Sequence, residues 1–378
     1  MKVVVPLSLL VLALVGCAGP GQTASHAAAG ASRPSDAASS PSASGRAQAS
    51  TTDSSSPARE STFPCRLPVA YQAGASVPFD RLSPPRGAFI TVPGGNVSVD
   101  PAGTTSWGSP DENSIDVVSA PSLHGNGGPS YSPTLGRWVP APAKHVSPDR
   151  VAYAYAEPTT LPVGPRTENR IRVVQGATGA GRVYVTGGSK QPVAFDAAGV
   201  YLVEGRWEGS TVGLWKLDLA SGAVQTIRKD GAWTVVGDGA AWGSAGSYGM
   251  GEPVERVDRL DLATGRTEQW LSRTGALLQV LGVDRHDRPL VQLNRLEASP
   301  ETLVDVAVLE APGKSRTLFS VPAGAPVTDM LADGHGVWFL TTTKVLLYRE
   351  GSGLQEIITT STGALGSRAV TSLAGACM

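Results

Sequence analysis

Charged side chains are scarce in this sequence. They account for 17% of its 378 residues, whereas an average soluble domain has roughly 25%. The 31 basic and 32 acidic residues nearly cancel, so the net charge is −1. Because proteins that bind nucleic acid usually present a clearly basic surface, we expect no nucleic-acid partner.

Catalytic motifs are also missing. The sequence contains no Gly-x-Ser-x-Gly elbow, no His-Glu-x-x-His zinc motif, no P-loop and no Gly-x-Gly-x-x-Gly fingerprint. None of the five histidines lies at metal-ligand spacing from another histidine or an acidic residue. We therefore predict no catalytic residue, no metal ligand and no cofactor. A calcium site at residues 110–113 (Pro-Asp-Glu-Asn) is the alternative, because carboxylate and amide oxygens suit hard cations.

Long apolar runs are absent except at the N-terminus. Lys2 and the mostly apolar residues 3–15 are typical of a signal peptide, and the run is short for a ~30 Å bilayer. Residues 14–17 (Leu-Val-Gly-Cys) resemble the bacterial lipobox, which implies lipidation of Cys17 by palmitate and related chains. We expect residues 1–17 to be a lipoprotein signal peptide, and the exported chain to be anchored at the outer face of the cell membrane by lipid only. An ordinary secretory signal is the alternative.

Large side chains are almost absent from residues 18–62. Of these 45 residues, 36 are Ala, Gly, Pro, Ser or Thr. Such a segment cannot bury enough apolar surface to offset the entropy lost on ordering. We predict a disordered tether over 18–62, followed by one folded domain over 63–378.

The folded part contains a repeat. The hexamer at residues 217–222 (Leu-Asp-Leu-Ala-Ser-Gly) recurs at 260–265, an offset of 43, with apolar alternation on both sides. This pattern predicts hairpins in which glycine supplies the positive φ of the turn. A second kind of predicted hairpin has an aspartate in its turn, and these aspartates are Asp100, Asp149, Asp196, Asp238, Asp284 and Asp333.

Two interleaved hairpins every ~46 residues make a four-stranded unit, which is typical of a β-propeller blade. Six units fit between residues 92 and 360, so we predict an all-β, six-bladed β-propeller, with seven blades as the alternative. Residues 147–149 (Ser-Pro-Asp) resemble the Ser-Pro-Asp-Gly motif of TolB-like propeller repeats, with Arg150 in place of the glycine. The chain thus resembles a TolB-like or tryptophan–aspartate-repeat-like propeller lipoprotein, a resemblance that implies the fold and no particular activity.

Closure of the ring is left open by the sequence. Either residues 87–92 complete the sixth blade, or residues 368–373 pair into the first blade. Cys65 and Cys377 lie near the two ends of the folded part. Because disulfides persist outside the cytoplasm, we predict that these cysteines form a disulfide at the seam. Two unrelated thiols are the alternative.

Binding residues are expected in the longer loops, on the face opposite the tight hairpin turns, since loops on a rigid scaffold commonly carry function. These loops combine aromatic and charged residues, which suit recognition of a protein, peptide or glycan. The candidate binding residues are Trp107, Asp111, Glu112, Arg166, Arg206, Trp207, Tyr248 and Glu252.

The expected role is that of a non-catalytic binding or scaffold protein at the cell surface. The predicted first strands of the units, such as residues 193–195 and 330–332, are apolar and predict little chemistry at the centre of a ring. One alternative is an exported propeller enzyme of lactonase, lyase or quinone-dependent dehydrogenase type. Another is an extracytoplasmic sensor domain.

Overall fold

Antiparallel β-strands make up nearly all the regular structure of the protein. The computed structural model describes residues 63–73, 86–104, 128–157, 168–205, 211–245, 254–295, 302–359 and 368–378. Within these ranges there is no α-helix, and a single 3₁₀ turn covers Ala143–His145. The predicted signal peptide, with Cys17, and the predicted tether lie outside the described residues.

The described strands number twenty-five. In chain order they are β1 (Cys65–Ala73), β2 (Arg86–Val92), β3 (Asn96–Thr104), β4 (Ser130–Ser132), β5 (Arg137–Val139), β6 (Ala152–Ala156), β7 (Glu168–Gln175), β8 (Gly181–Gly187), β9 (Lys190–Asp196), β10 (Gly199–Gly205), β11 (Thr211–Leu217), β12 (Val224–Arg228), β13 (Ala232–Gly237), β14 (Ala240–Ser244), β15 (Arg256–Asp261), β16 (Thr267–Ser272), β17 (Ala276–Val283), β18 (Pro289–Arg295), β19 (Leu303–Ala311), β20 (Lys314–Pro322), β21 (Val327–Asp333), β22 (Gly336–Thr341), β23 (Lys344–Arg349), β24 (Gly353–Thr359) and β25 (Arg368–Leu373). None of the helices in the described ranges is long and apolar enough to cross a membrane.

The strands pair mostly in sets of four that follow the sequence repeat. Strands β9 to β12, β13 to β16, β17 to β20 and β21 to β24 each pair in chain order. A single parallel bridge between Gly213 and Ala232 joins the first two of these sets. Strands β6 to β8 form a three-stranded sheet, and Val146 adds a bridge to Tyr153 at its edge. The short hairpin β4–β5 stands apart from this pattern.

The predicted glycine hairpins are present. Gly222 and Gly265 have φ values of 77° and 69°, conformations that favour glycine. In the first turn, Ser221 donates from both its backbone N–H and its hydroxyl to Asp218 Oδ1. The second turn repeats this arrangement with Asp261 and Thr264. The similarity of the two hexamers, which differ only by serine or threonine at the fifth position, therefore reflects the same set of turn hydrogen bonds.

The Ser-Pro-Asp-Arg segment also forms a turn. Ser147 Oγ donates to Asp149 Oδ1 at 2.5 Å, and the same oxygen accepts from the N–H of Val151 at 3.2 Å. Arg150 has a φ of 63°. This left-handed conformation explains why the related motif has glycine at this position, and it costs an arginine on the order of 1 kcal/mol.

Each hydrophobic core lies between neighbouring sheets. Alternate side chains of β1 and β2, including Leu67 and Ile90, pack with Trp338 and Leu347 of the β21–β24 sheet. In the same way, Trp242 packs among residues of β17 and β18. Inner strands such as β10 and β22 are buried on both faces, whereas outer strands such as β12 and β16 are largely exposed, so packing of neighbouring sheets buries mainly the inner strands.

The C-terminal strand completes the first sheet. Strand β25 pairs antiparallel with β1, and β2 and β3 follow, so the order is β25-β1-β2-β3. Of the two arrangements that the sequence left open, this is the second. A disulfide joins Cys65 to Cys377 across the seam, with their Cα atoms 5.6 Å apart.

The prediction of an aspartate turn at Asp100 is wrong. Asp100 lies inside β3, which is the last strand of its sheet rather than the first. Its carboxylate accepts hydrogen bonds from the N–H of Ala102 and from Trp138 Nε1, each at 2.9 Å. The physical reason is that β25, β1 and β2 occupy the first three places of this sheet, so that β3 takes the last one.

Candidate binding site at the first strands

The loop residues chosen from the sequence cannot be located in the fold. Trp107, Asp111, Glu112, Arg166, Arg206, Trp207, Tyr248 and Glu252 all lie outside the described residues, as do residues 110–113. The binding face and the calcium alternative therefore stay predictions. In the described part of the chain, no group of three or more His, Cys, Asp or Glu side chains is placed to hold a metal ion.

The first strands of successive sheets lie beside one another. Strand β13 contacts β9 and β17, β21 contacts β17 and β25, and the 3₁₀ turn Ala143–His145 contacts β9. These segments can be aligned with one another by the aspartate of the turn that follows each of them, and we call this alignment their common register. The residues four positions before Asp149, Asp196, Asp238, Asp284 and Asp333 are His145, Pro192, Thr234, Val280 and Asp329.

Asp329 is the acidic member of this register. Its Oδ1 accepts from the N–H of Met330 at 2.9 Å, and its Oδ2 accepts from the N–H of Leu373 in β25 at 2.8 Å. Burial raises the pKa of Asp329 to about 6, while these hydrogen bonds and the charge of Lys144 act in the opposite direction. The carboxyl group thus links the β21–β24 sheet to the strand that completes the first sheet.

Lys144 brings a positive charge to the same place. It interacts electrostatically with Asp329, although no described residue forms an ion pair with it within 4 Å. Its side chain is solvent-exposed, yet burial by the surrounding protein lowers its pKa.

His145 is the neutral member. Burial lowers its pKa to about 3, with a further contribution from the charge of Lys144, whereas a hydrogen bond to the backbone of Pro192 opposes the shift. Proline has no N–H, so the imidazole donates to the carbonyl oxygen. The other nitrogen, Nε2, is buried and has no hydrogen-bond partner, and it is therefore assigned as the acceptor of a neutral ring.

A second buried polar atom without a partner lies on β25. Thr371 is left unpaired where the register shifts between β25 and β1. Its Oγ1 is buried and forms no hydrogen bond. Thr371 precedes Leu373, the partner of Asp329, by two residues. We refer to Lys144, His145, Asp329 and Thr371 together as the inner cluster.

The first strand of the β21–β24 sheet is longer than the apolar stretch predicted from the sequence, and the added part brings a charged residue. Strand β21 begins at Val327, three residues before the predicted apolar stretch, and includes Asp329. Lys144 and His145 lie just before the Ser-Pro-Asp turn, in a segment that contributes a 3₁₀ turn and a single bridge. His145 and Asp329 each lie four residues before a turn aspartate, and this shared spacing is the signal in the sequence that could have identified them as a pair.

A second aspartate of β21 binds the segment that follows β25. Asp333 Oδ2 accepts from the N–H of Cys377 and from Trp338 Nε1, each at 2.9 Å. Asp329 and Asp333 thus bind Leu373 and Cys377 with the same spacing along the chain. These two contacts hold the terminal segment beside β21 independently of the disulfide.

Comparison with known proteins supports the fold class. No protein-family model and no curated protein matches the sequence. Among solved structures, an acylaminoacyl peptidase from Pyrococcus horikoshii is similar with a TM-score of 0.50 and 9% identity, over 78% of this chain and 52% of the peptidase. TolB from Acinetobacter baumannii matches with a TM-score of 0.42 and 14% identity, over 81% of this chain and 67% of TolB.

An oligogalacturonate lyase from Vibrio parahaemolyticus matches with a TM-score of 0.40 and 12% identity, over 58% of this chain and 65% of the lyase. The chain thus spans about half to two thirds of the length of these three structures. They are β-propeller proteins, and two of the three are named as enzymes. The described part of this chain is all-β, with antiparallel sheets, and its structural neighbours are propeller-like.

Proposed function

We propose that the sheets form a closed, six-bladed β-propeller. Four complete four-stranded sets, the β6–β8 sheet with its bridge to Val146, and the β25-β1-β2-β3 sheet make six units. Contacts between successive first strands support a ring, as does the electrostatic interaction between Lys144 of the second unit and Asp329 of the sixth. In this arrangement the inner cluster faces the central channel.

We further propose that the protein is an exported, lipid-anchored binding protein that catalyses no reaction. The observation that carries the binding function is the inner cluster, where Lys144 and two partnerless buried polar atoms come from segments that are far apart in sequence. A buried polar atom without a partner costs about 1–3 kcal/mol. A ligand recovers part of that cost where its binding opens a path to these atoms and supplies the missing hydrogen bonds.

A thermal-shift screen tests the binding function. Full-length protein in detergent is heated with calcium, quinone cofactors, sugars, cell-wall fragments and short peptides. A ligand at 100 times its Kd stabilises the folded state by about 2.7 kcal/mol, which is readily measured. A shift with a sugar or peptide is expected, whereas a shift only with calcium or a quinone would contradict a non-catalytic role and favour an exported enzyme.

The proposed binding face needs a separate test. Replacing Trp207 and Tyr248 together by alanine is expected to abolish the shift caused by a peptide or cell-wall fragment that binds the loops. An unchanged shift with such a ligand would remove the loops from the proposal.

The lipid anchor is tested by replacing Cys17 with alanine. The lipobox interpretation predicts that palmitate labelling of the chain is lost and that the variant moves from the membrane fraction to the soluble fraction. A variant that stays in the membrane fraction and still incorporates palmitate would exclude Cys17 as the lipidated residue.

A further inference from the structure

We propose that strand β8 is a docking edge for a second copy of this chain. The two copies add β8 to β8, so that two three-stranded β6–β8 sheets become one continuous antiparallel sheet. The inference uses the β6–β8 sheet alone. It depends neither on the closed ring nor on the proposed binding function, and its failure would leave both of them standing.

Strand β8 differs from the other outer strands in its regularity. Strands β3, β12, β16, β20 and β24 hold the same outer place in their sheets, and the pairing of each with its neighbour contains a register shift. The pairing of β7 with β8 runs from Glu168–Gly187 to Val174–Gly181 without a shift. Because bulges twist an edge strand and hinder its pairing with other chains, β8 is the edge among these six that is best suited to accept a further strand.

The exposed side chains of β8 are apolar. Val183 is 38% exposed and Val185 is 57% exposed, and both lie on the same face of the strand. The single charged residue of β8, Arg182, belongs to the opposite face, where its Nη1 donates to the carbonyl oxygen of Leu219 at 3.1 Å and its guanidinium group lies over the ring of Tyr184. The exposed face of β8 therefore carries neither a charge nor a proline of its own that would oppose a neighbouring strand.

The backbone groups of Val183 and Val185 point towards the open edge. The carbonyl oxygen of Arg170 accepts from the N–H of Glu157 on the β6 side, so the backbone of Arg170 faces β6 rather than β8. Val185 lies opposite Arg170, and Val183 lies opposite Arg172, two positions further along. Because alternate residues of an antiparallel strand bond to one neighbour and then to the other, the N–H and C=O groups of Val183 and Val185 point away from β7. Within the described ranges, no further strand pairs with them.

The sequence of β8 is complementary to itself in this register. If two copies pair antiparallel about a twofold axis at Tyr184, Val183 of each copy lies opposite Val185 of the other. Both valines have outward backbone groups, so each such pair exchanges two hydrogen bonds, and four valines form one apolar patch. Arg182 lies opposite Thr186, and like charges do not face each other directly. A second copy thus supplies the matching strand, and twofold dimers are the commonest oligomers.

The test measures the mass of the full-length protein in detergent by sedimentation velocity. One strand edge buries less than the roughly 800 Å² per partner of a standard interface, so a reversible dimer with a micromolar Kd is expected over about 1–200 µM protein. A monomer at every concentration would overturn the proposal. Open-ended assemblies would overturn it as well, because a twofold pair uses up both β8 edges.

Variants locate the interface. Val185→Lys places a charge in the valine patch twice per dimer and is expected to raise the Kd of the dimer at least about 10-fold. Val183→Pro is expected to abolish the dimer, because it removes an N–H that points outward and leaves the hydrogen bonds between β7 and β8 in place. The matched control is Thr226→Lys at an exposed position of the outer strand β12, which should leave the Kd unchanged.

The Val185→Lys variant decides the outcome even where Val183→Pro does not fold. Unchanged near-UV circular dichroism shows that Val185→Lys and Thr226→Lys keep the native fold. A Val185→Lys protein that dimerises like the wild type would place the interface elsewhere and overturn the inference.

Chemical cross-linking tests the register. In the twofold pair, the Cα atoms of the two copies of residue 185 lie about 8 Å apart, from the spacing between strands and the rise along them. A short bismaleimide should therefore join two Val185→Cys chains into a covalent dimer, whereas Thr226→Cys chains should stay monomeric. Equal cross-linking at both positions, or cross-linking of Val185→Cys in membranes to a different protein only, would overturn the proposal.

Discussion

Replacement of Asp329 by asparagine should change how the stability of the protein depends on pH. The carboxyl group accepts two backbone hydrogen bonds, one from β21 itself and one from β25, and is mostly surrounded by protein. Asparagine is nearly isosteric and does not titrate, but its single carbonyl oxygen can accept only one of these two hydrogen bonds, at any pH. The change with pH of the difference between the two proteins therefore isolates the titration of this one group.

The magnitude follows from the pKa of Asp329. Burial raises this pKa from 3.8 to about 6 in the folded state. Because the folded-state value is the higher one, the group stabilises the fold fully below pH 3.8, and this contribution is lost as the pH rises through about 6. At 1.36 kcal/mol per pH unit, the loss amounts to about 3 kcal/mol at pH 8.

We expect the asparagine variant to gain about 2.5 kcal/mol relative to the wild type between pH 4 and pH 8, since a small part of the loss has already occurred at pH 4. Urea unfolding followed by tryptophan fluorescence, with linear extrapolation at several pH values, measures the difference. Asp305→Asn, at an exposed position of β19, is the control and should show a much smaller change. If the difference in the free energy of unfolding between wild type and variant stays constant to within about 1 kcal/mol over this pH range, the reasoning is refuted.

Three further predictions concern the seam and the cores. Replacing both Cys65 and Cys377 by serine should cost about 2–5 kcal/mol, since the bridge spans 312 positions; equal urea midpoints with and without the bridge would contradict this. Trp338→Phe removes a fully buried indole whose N–H binds Asp333, and calorimetry should show a loss of about 2–3 kcal/mol. Gly243→Ala places a methyl group against a backbone carbonyl of the facing strand, so a loss of about 1–3 kcal/mol is expected, and an unchanged melting temperature would argue against this strand pairing.

Local features of the fold could be predicted from the sequence, because their causes are local. The turns at Gly222 and Gly265 follow from short motifs that carry their own hydrogen bonds. The pairing of β25 with β1 could only be proposed as one of two arrangements, since no local pattern specifies a partner 300 residues away. Strand β1 carries Leu67, Val69 and Tyr71 at every second position, a pattern that is typical of a strand. The repeat does not predict this strand, because β1 lies before the first repeat unit.

The inner cluster was missed for a related reason. Lys144 and Asp329 are 185 residues apart, and nothing in the sequence around either one points to the other. Their interaction arises only when the sheets come together. Buried Nε2 of His145 and buried Oγ1 of Thr371 have no sequence signature at all, because the lack of a partner is a property of packing.

The pairing of β25 with β1 has a consequence for biosynthesis. A ribosome releases β1 long before β25, so the first sheet has an unpaired edge during most of translation. The N-terminal strands must stay free of premature pairing with other chains until β25 emerges. We therefore expect nascent chains that stop before Arg368 to depend on chaperones, and to be degraded faster than chains that include the final strand.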